Sequence, residues 1–155
     1  MARPICSTLS LTIRTARDVA EIDEAAALYL RSGGAAFTWR LPGHFRAEDF
    51  KMFALDEEVW LALMGDALVG TLSILREENF VHCLYVDPDA QGLGVGRALV
   101  RHVRSLAGGP LTLKLDVPNR SAIRFYEATG WERMTGLDDQ GVDDVGIRWA
   151  RYRLA

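Results

Sequence analysis

The segment LYVDPDAQGLGVGRALV, residues 84–100, decides the fold of this chain. An apolar run precedes glycines at positions 92, 94 and 96, and apolar residues with helical spacing follow them. Glycine lets a ligand approach the backbone closely, and the N-terminus of a helix favours negative charge. The segment therefore predicts either a phosphate-binding loop or, more simply, a tight connection between a strand and a helix.

The flanking sequence predicts one mixed α/β domain over residues 1–155. Upstream, LSLTIR (9–14) alternates as a strand does, and a helix with the capping pair Asp18 and Glu21 ends at Gly33-Gly34. A hairpin turns at Gly65-Asp66, and the apolar run 79–86 predicts a central strand. Strand and helix patterns then alternate downstream. This order predicts a parallel strand pair inside a mixed sheet.

Composition excludes several classes of partner. The formal net charge is −3 and no segment concentrates Lys and Arg, so we expect no nucleic-acid partner. The longest apolar runs are too short to span a bilayer, and residues 1–14 lack the pattern of a signal peptide, so we expect no membrane association. Cys6 and Cys83 lack metal-ligand spacing, which predicts no metal site and a reducing, cytoplasmic environment.

Three kinds of phosphate-binding loop compete for QGLGVGR, residues 91–97. A Walker A loop needs a Lys followed by Ser or Thr after its last glycine, whereas Arg97 and Ala98 follow here. A dinucleotide-binding loop has Gly-x-Gly-x-x-Gly spacing, which this segment lacks, although Asp116 occupies the place of a ribose-binding acid. A third kind wraps a pyrophosphate with successive backbone N–H groups. The spacing favours this third kind.

Two segments together resemble a known family. VDPDAQGLGVGRALV (86–100) resembles the acetyl-CoA signature, Gln/Arg-x-x-Gly-x-Gly/Ala, of the GCN5-related N-acetyltransferases. VPNRSAIRFYEATGW (117–131) resembles the same family's Asn-x-x-Ala-x-x-Phe-Tyr-Glu-x-x-Gly-Phe pattern, with Trp131 in place of the last Phe. The resemblance implies a mostly antiparallel sheet with a splayed parallel pair and helices on both faces. It also implies acetyl transfer from acetyl-CoA to a primary amine of a small molecule or peptide.

The resemblance assigns the cofactor-binding residues. It implies that Leu84, Tyr85 and Val86 hold the pantetheine arm along a strand edge. The residues that surround the pyrophosphate are then Gln91, Gly92, Gly94, Val95, Gly96 and Arg97.

Downstream, Asn119 and Tyr126 are seven residues apart, which is two helical turns, so both side chains can face one site. In the family the matching Asn contacts the cofactor and the matching Tyr donates a proton to the leaving sulfur. A phenol suits that task because it stays protonated at neutral pH. The simpler alternatives are a helix cap for Asn119 and core packing for Tyr126.

The residue that accepts a proton from the amine is less constrained by the sequence. His82 lies two residues before Leu84, so an alternating strand places both on one face, and histidine titrates in the required range. Glu57, Glu58 and His44 are alternatives, as is a chain of water molecules. The same alternation places Cys83 opposite His82, which argues against a thiol intermediate.

The acceptor side is predicted from the loop after the first helix and from a late acidic loop. Phe37, Trp39 and His44 can form the wall of an amine-binding pocket, or they can simply pack in the core. The loop LDDQGVDDVG (137–146) can attract a cationic amine, or it can be a solvated surface loop.

Two other functional classes and one assembly remain open. The chain can be a CoA-binding sensor without turnover, or a nicotinamide-dependent oxidoreductase, which the glycine spacing disfavours. The last strand, IRWARYRL (147–154), is predicted to lie at a sheet edge, where it can pair with a second copy and form a homodimer, or where its arginines can equally prevent such pairing.

Overall fold

The computed structural model describes residues 10–155, so Cys6 and the first residue of the predicted strand 9–14 lie outside the described residues. The strands are β1 (Leu11–Thr15), β2 (Glu58–Met64), β3 (Ala67–Leu75), β4 (Phe80–Val86), β5 (Leu111–Asp116), β6 (Glu132–Arg133), β7 (Gln140–Val142) and β8 (Arg148–Leu154). The helices are α1 (Val19–Ala36), α2 (Ala47–Phe53), α3 (Val95–Leu106) and α4 (Arg120–Ala128). Within residues 10–155, no helix is long and apolar enough to cross a membrane.

The strands form one sheet in the order β1-β2-β3-β4-β5-β8-β6, and β7 also pairs with β8. All neighbours are antiparallel except β4 and β5, which confirms the predicted parallel pair and the central position of β4. These two strands share a single residue pair, Phe80 with Thr112, at their N-terminal ends. Beyond that pair the ladder stops, so a gap opens toward their C-terminal ends.

Helices cover both faces of the sheet, as predicted. On one face, α3 and α4 contribute Val95, Leu99 and Tyr126 to a buried apolar cluster with the central strands. On the other face, α1 and α2 contribute Tyr29 and Phe50 to a second cluster. Truncating a fully buried member such as Leu99 to alanine costs about 2–5 kcal/mol. The gap between β4 and β5 therefore lies between two well-packed layers.

Helix α1 begins as predicted and ends later than predicted. The Asp18 side chain accepts a hydrogen bond from the Glu21 N–H, at 2.9 Å, and so caps the first turn. The predicted end at Gly33-Gly34 is wrong, because the helix continues to Ala36. A Cβ atom on Gly33 would lie 2.6 Å from Cδ1 of Phe45. This glycine therefore allows the aromatic loop to pack against the helix and does not terminate it.

The predicted sheet edge at 147–154 is also wrong. β8 pairs with β5 on one side and with both β6 and β7 on the other, so neither side of this strand is open along its length. β7 forms within the acidic loop 137–146 and supplies part of that cover. The free strand edge that could have paired with a second copy does not exist at this strand.

Candidate active site

The gap between β4 and β5 leads into a cavity of about 770 Å³. Side chains and backbone from both strands, from the glycine loop and from α1, α3 and α4 line it. Every cofactor-binding residue predicted from the sequence contributes to this lining: Leu84, Tyr85, Val86, Gln91, Gly92, Gly94, Val95, Gly96, Arg97, Asn119 and Tyr126. His82 and Phe37 line the same cavity, whereas Trp39 and His44 do not.

The three glycines of the loop are required for two different structural reasons. Gly92 and Gly94 have φ of 81° and 83°, a conformation that side chains with a Cβ rarely adopt, and open space faces both positions. Gly96 is buried, and a Cβ there would lie 3.3 Å from Cζ of Phe125. Gly92 and Gly94 therefore shape the loop, while Gly96 allows α3 to pack closely against α4.

The N-terminus of α3 faces the cavity with unpaired backbone donors. Gly94 caps the helix without a side chain, and the first turn contains no acidic residue. The first helical hydrogen bond runs from the Ala98 N–H to the Gly94 carbonyl, at 3.0 Å. Among residues 10–155, the N–H groups of Val95, Gly96 and Arg97 have no hydrogen-bond acceptor. Such donors, together with the helix dipole, form a site for an anion.

Asn119 and Tyr126 begin and end the cavity-facing side of α4. The Asn119 Oδ1 accepts a hydrogen bond from the Ala122 N–H, at 3.2 Å, so this residue caps the helix and lines the cavity at once. Tyr126 is 6% exposed and packs against Phe125 and Trp131. Its hydroxyl makes no hydrogen bond to any residue in the described part of the chain. Burial raises the pKa of the Tyr126 phenol, which keeps it protonated and able to donate.

His82 lies where the β3–β4 ladder shifts register. Cys83 pairs with Ser73 and Val81 pairs with Ile74, so β4 has one extra residue at this point. The His82 ring lies against Phe53 of α2, with 4.3 Å between ring centroids, and its Nδ1 lies 2.8 Å from Oε1 of Glu57.

The extra residue breaks the predicted alternation. Leu84 packs against the α3–α4 cluster, whereas His82 contacts Phe53 on the α1–α2 side, so the two do not share a face. Cys83 belongs to the α1–α2 cluster, so the expectation that it lies opposite His82 is also wrong. Cys83 is 4% exposed, and burial raises the pKa of its thiol to about 12. Its burial, and not its direction, argues against a thiol intermediate.

Comparison with known proteins identifies the family. The sequence profile of the Acetyltransferase (GNAT) family matches residues 21–131. The chain belongs to this family. It is 33% identical over 149 residues to the peptidyl-lysine N-acetyltransferase YjaB of Escherichia coli (strain K12), covering 94% of this chain and 96% of that relative.

Two further likenesses extend this result. The solution structure of apo YjaB from Escherichia coli superposes on this GNAT chain with a TM-score of 0.74 at 27% identity, covering 94% of this chain and 98% of that one. A mycothiol acetyltransferase of Geodermatophilus obscurus is 32% identical over 152 residues, covering 84% of this chain and 45% of that relative. The protein is therefore an N-acetyltransferase with the GNAT fold.

GNAT enzymes use acetyl-CoA as the acyl donor, and the cavity of this acetyltransferase suits that molecule. The unpaired N–H groups at the start of α3 match a pyrophosphate in charge and in hydrogen bonding. The gap between β4 and β5 leaves backbone donors and acceptors unpaired on both edges, which suits an extended chain that carries amides. We call this part of the cavity, formed by residues 84–86, 91–97 and the start of α4, the donor side.

Phe37 and Asp116 also line the cavity of this acetyltransferase. We call these two residues, together with the Arg40 and Asp143 side chains bonded around Asp116, the acceptor side, after the role that we propose for it below. The Arg40 guanidinium donates from Nη2 and Nε to the two oxygens of Asp116, at 2.7 and 2.9 Å, and from Nη1 to Asp143, at 2.7 Å. The Arg40 side chain is 11% exposed. This cluster ties the loop after α1 to the end of β5 and to the loop after β7. No short motif in the sequence points to it, since its members are 76 and 103 residues apart.

The predicted acceptor residues of the enzyme separate in the structure. Phe37 lines the cavity and packs against Tyr85. Trp39 donates from Nε1 to Asp116, at 2.9 Å, so it supports the Arg40 cluster without lining the cavity. His44 is exposed and packs on the edge of Phe45 outside the cavity. In the acidic loop, Asp139 and Asp143 pair with arginines of this chain, which leaves less free charge than the sequence suggests.

The structure also shows the surroundings of the alternative bases Glu57 and Glu58. The Glu58 carboxylate accepts two hydrogen bonds from Arg76 and one from Trp60, and the Arg76 hydrogen bond holds the pKa of Glu58 below its usual range. That carboxylate is a poor proton acceptor at neutral pH. The Glu57 side chain is 9% exposed, does not line the cavity and contacts His82. Of the four candidates, His82 alone lines the cavity.

Proposed function

We propose that this protein transfers an acetyl group from acetyl-CoA to a primary amine of a peptide, with the lysine ε-amine as the preferred acceptor. The observation that carries this proposal is the Tyr126 hydroxyl. It is protonated, unpartnered within residues 10–155, and lines the same cavity as the free N–H groups at the start of α3. A hydroxyl that no residue in the described part of the chain engages is available to donate to an acceptor in the cavity.

The donor side holds the cofactor in this proposal. The N–H groups of Val95, Gly96 and Arg97 donate to the pyrophosphate, and the positive φ of Gly92 and Gly94 keeps the loop close to it. Leu84, Tyr85 and Val86 present the edge of β4 to the pantetheine arm. Gln91 and Asn119 line the same cavity and bind polar groups of the cofactor.

The chemistry needs a proton acceptor for the amine and a proton donor for the sulfur. Bound acetyl-CoA supplies a thioester carbonyl that an amine can attack. His82 accepts the proton that the attacking nitrogen loses as the C–N bond forms, directly or through water. Tyr126 donates its hydroxyl proton to the sulfur as the C–S bond breaks. Solvent then returns a proton to Tyr126 and removes one from His82, so no net proton stays on the enzyme.

Transfer is direct in this scheme. Cys83 is the one cysteine in the described part of the chain, and its thiol is buried with a raised pKa, so it is a poor nucleophile. Both substrates therefore occupy the cavity at the same time. The His82→Ala variant is expected to lose the acidic limb of the kcat/KM profile against pH. An unchanged limb would exclude His82 as the base and leave the reaction to water.

The choice of a peptide acceptor rests on the pattern of relatives. The peptidyl-lysine enzyme YjaB matches nearly the whole length of both chains, whereas the mycothiol acetyltransferase match covers 45% of that relative. Phe37 lines the cavity and offers an aromatic surface against which the apolar stem of lysine can pack. A small amine remains the second candidate because of the mycothiol acetyltransferase match.

A thiol-release assay with acetyl-CoA tests the proposed activity. The acceptors are a lysine peptide with a blocked N-terminus, the same peptide with norleucine in place of lysine, and a panel of amino acids and aminoglycosides. Thiol release with the lysine peptide alone supports the proposal. Thiol release with small amines alone would show that the acceptor is a small molecule and not a peptide. Calorimetry with acetyl-CoA and NAD separates the other classes. Binding of acetyl-CoA without turnover on any acceptor indicates a sensor, and binding of NAD alone would indicate an oxidoreductase.

A further inference from the structure

A buried carboxylate stands directly behind the proposed base. The Glu57 Oε1 lies 2.8 Å from Nδ1 of His82, and the two residues are 25 positions apart in the chain. We propose that Glu57 is a positioning residue, which holds His82 as the Nδ1–H tautomer and so presents an unprotonated Nε2 to the amine. This inference rests on the proposed function and concerns how the site achieves it.

The geometry gives Nδ1 one role. An ionised carboxylate can only accept, so the Nδ1 atom must carry the hydrogen of this contact. In a neutral imidazole the other nitrogen is then an acceptor, which is the form that a base requires. Phe53 lies against the ring, with 4.3 Å between centroids, and the Phe80 ring lies at 6.3 Å. These aromatic contacts restrict rotation of the ring, so the hydrogen bond fixes the tautomer and the packing fixes its direction.

The second carboxylate oxygen of Glu57 independently supports a positioning role for this residue. Among the described residues, Oε2 is buried and has no hydrogen-bond partner. A buried carboxylate oxygen without a hydrogen-bond partner is costly. The cost falls when the neighbouring imidazole becomes positively charged, because the pair is then charge-assisted. Glu57 thus stabilises the state of His82 that exists after proton transfer, without taking the proton itself.

The tautomer itself is the first measurement. The chain has three histidines, so 15N-labelled protein gives three imidazole spin systems that single substitutions assign. At about pH 8.5, roughly two units above the ordinary histidine pKa, long-range 1H–15N spectra report which nitrogen carries hydrogen. We expect the Nδ1–H form at His82 in the intact protein and its loss in Glu57→Ala. His44 and His102 are internal references whose spectra should not change.

Kinetics with the acetyl acceptor are the second measurement. Glu57→Ala is expected to lower kcat by about 10- to 100-fold, a range typical when the partner that orients a functional imidazole is removed, with the acetyl-CoA Kd unchanged. Glu57→Gln keeps an oxygen that accepts from Nδ1 but has no charge, so it should keep the tautomer and recover part of kcat. Glu58→Gln is the matched control, since this neighbour contacts Arg76 and Trp60, and both readouts should match the intact protein.

The outcomes separate this inference from the proposed function. The Nε2–H tautomer in the intact protein, or full activity in a folded Glu57→Ala variant, overturns the positioning role. If Glu57→Ala does not fold, Glu57→Gln replaces it as the test. Loss of the Nδ1–H tautomer in Glu57→Gln with unchanged kcat also overturns the positioning role. If no amine is acetylated but the Nδ1–H form is present and depends on Glu57, the proposed function fails while the Glu57 contact is supported.

Discussion

The donor side of the cavity is formed mainly by backbone, whereas the acceptor side is held together by side chains. On the donor side, positive φ angles at Gly92 and Gly94 and free N–H groups at the start of α3 create the site. On the acceptor side, Arg40 joins Asp116 and Asp143 from distant parts of the chain. Backbone sites depend on a few residues in a short segment, so one substitution can damage them. Side-chain clusters share their task among several partners, so each loss is smaller.

The largest effect is expected at Tyr126, the proposed proton donor. Tyr126→Phe removes the proton donor for the sulfur and should lower kcat about 100-fold or more, because general acids contribute that much. The acetyl-CoA Kd should stay within about twofold, since the ring and its packing remain. Steady-state kinetics and calorimetry measure the two quantities. Tyr152→Phe is the control, because this tyrosine is buried in β8 outside the cavity. Full turnover in Tyr126→Phe would show that the phenol only packs.

The next effect concerns the donor side alone. Gly94→Ala places a Cβ at φ 83°, which costs about 2 kcal/mol and distorts the start of α3. We expect acetyl-CoA to bind about 30-fold more weakly, with no change in the acceptor KM at saturating cofactor. Gly34→Ala provides the control, since Gly34 lies inside α1 with open space around it. Equal loss of affinity in the two variants would contradict a role for the loop conformation.

A substitution on the acceptor side should weaken binding of the acceptor and leave binding of acetyl-CoA unchanged. Arg40→Met leaves Asp116 and Asp143 without their partner, and we expect the free energy of unfolding to fall by about 1–2 kcal/mol. The acceptor KM should rise about fivefold because the loop after α1 loses its attachment, while the acetyl-CoA Kd stays constant. Denaturant unfolding and kinetics provide the measurements. Arg46→Met, an exposed arginine that pairs with Asp49, should alter neither property. A weaker acetyl-CoA Kd in Arg40→Met would abolish the distinction between the two sides.

The smallest effect is a dependence of stability on pH. Backbone hydrogen bonds from Ile147 and Val145, together with Arg40, hold the pKa of Asp143 below 3.8. A carboxylate whose pKa is lower in the folded state stabilises the protein above the unfolded value and loses that contribution as pH falls. Asp143→Asn should therefore lower Tm by about 2 °C at pH 7, and the difference should shrink as the pH falls below the ordinary aspartate pKa of about 3.9.

The neighbour Asp144 provides the comparison for this pH effect, since no ion pair or side-chain hydrogen bond involves it within residues 10–155. Thermal unfolding of Asp144→Asn should match the unchanged protein at every pH. A Tm difference for Asp143→Asn that persists in acid would show that the amide disturbs the loop itself and that the charge is not the cause.

The same difference between the two sides explains how much could be predicted from the sequence. The donor side depends on local spacing, because glycines, a helix start and the seven-residue interval from Asn119 to Tyr126 all lie within short segments. The predicted residues of that side line the cavity. The parallel pair and the central position of β4 also followed from pattern and length, whereas the position of the last strand in the sheet did not.

The remaining features depend on tertiary contacts. From the sequence, Gly33 appeared to end a helix. The structure explains this glycine by its contact with the ring of Phe45, which lies in another segment. His82 was predicted to share a face with Leu84, and the extra residue in β4 is invisible without the partner strand. The Glu57–His82 and Arg40–Asp116 contacts join residues 25 and 76 positions apart, and no periodicity encodes such pairs.

The gap between β4 and β5 has a consequence for self-association. Unpaired strand edges usually recruit other chains, and proteins protect them at the borders of a sheet. Here the unpaired edges lie in the middle of the sheet, where they face each other across a slot between two helical layers. A slender chain without side chains can enter that slot, whereas another polypeptide strand carries side chains on both faces and meets the helices. Unpaired strand edges at the border of the sheet would promote aggregation. In the middle of the sheet, the same edges select a slender ligand.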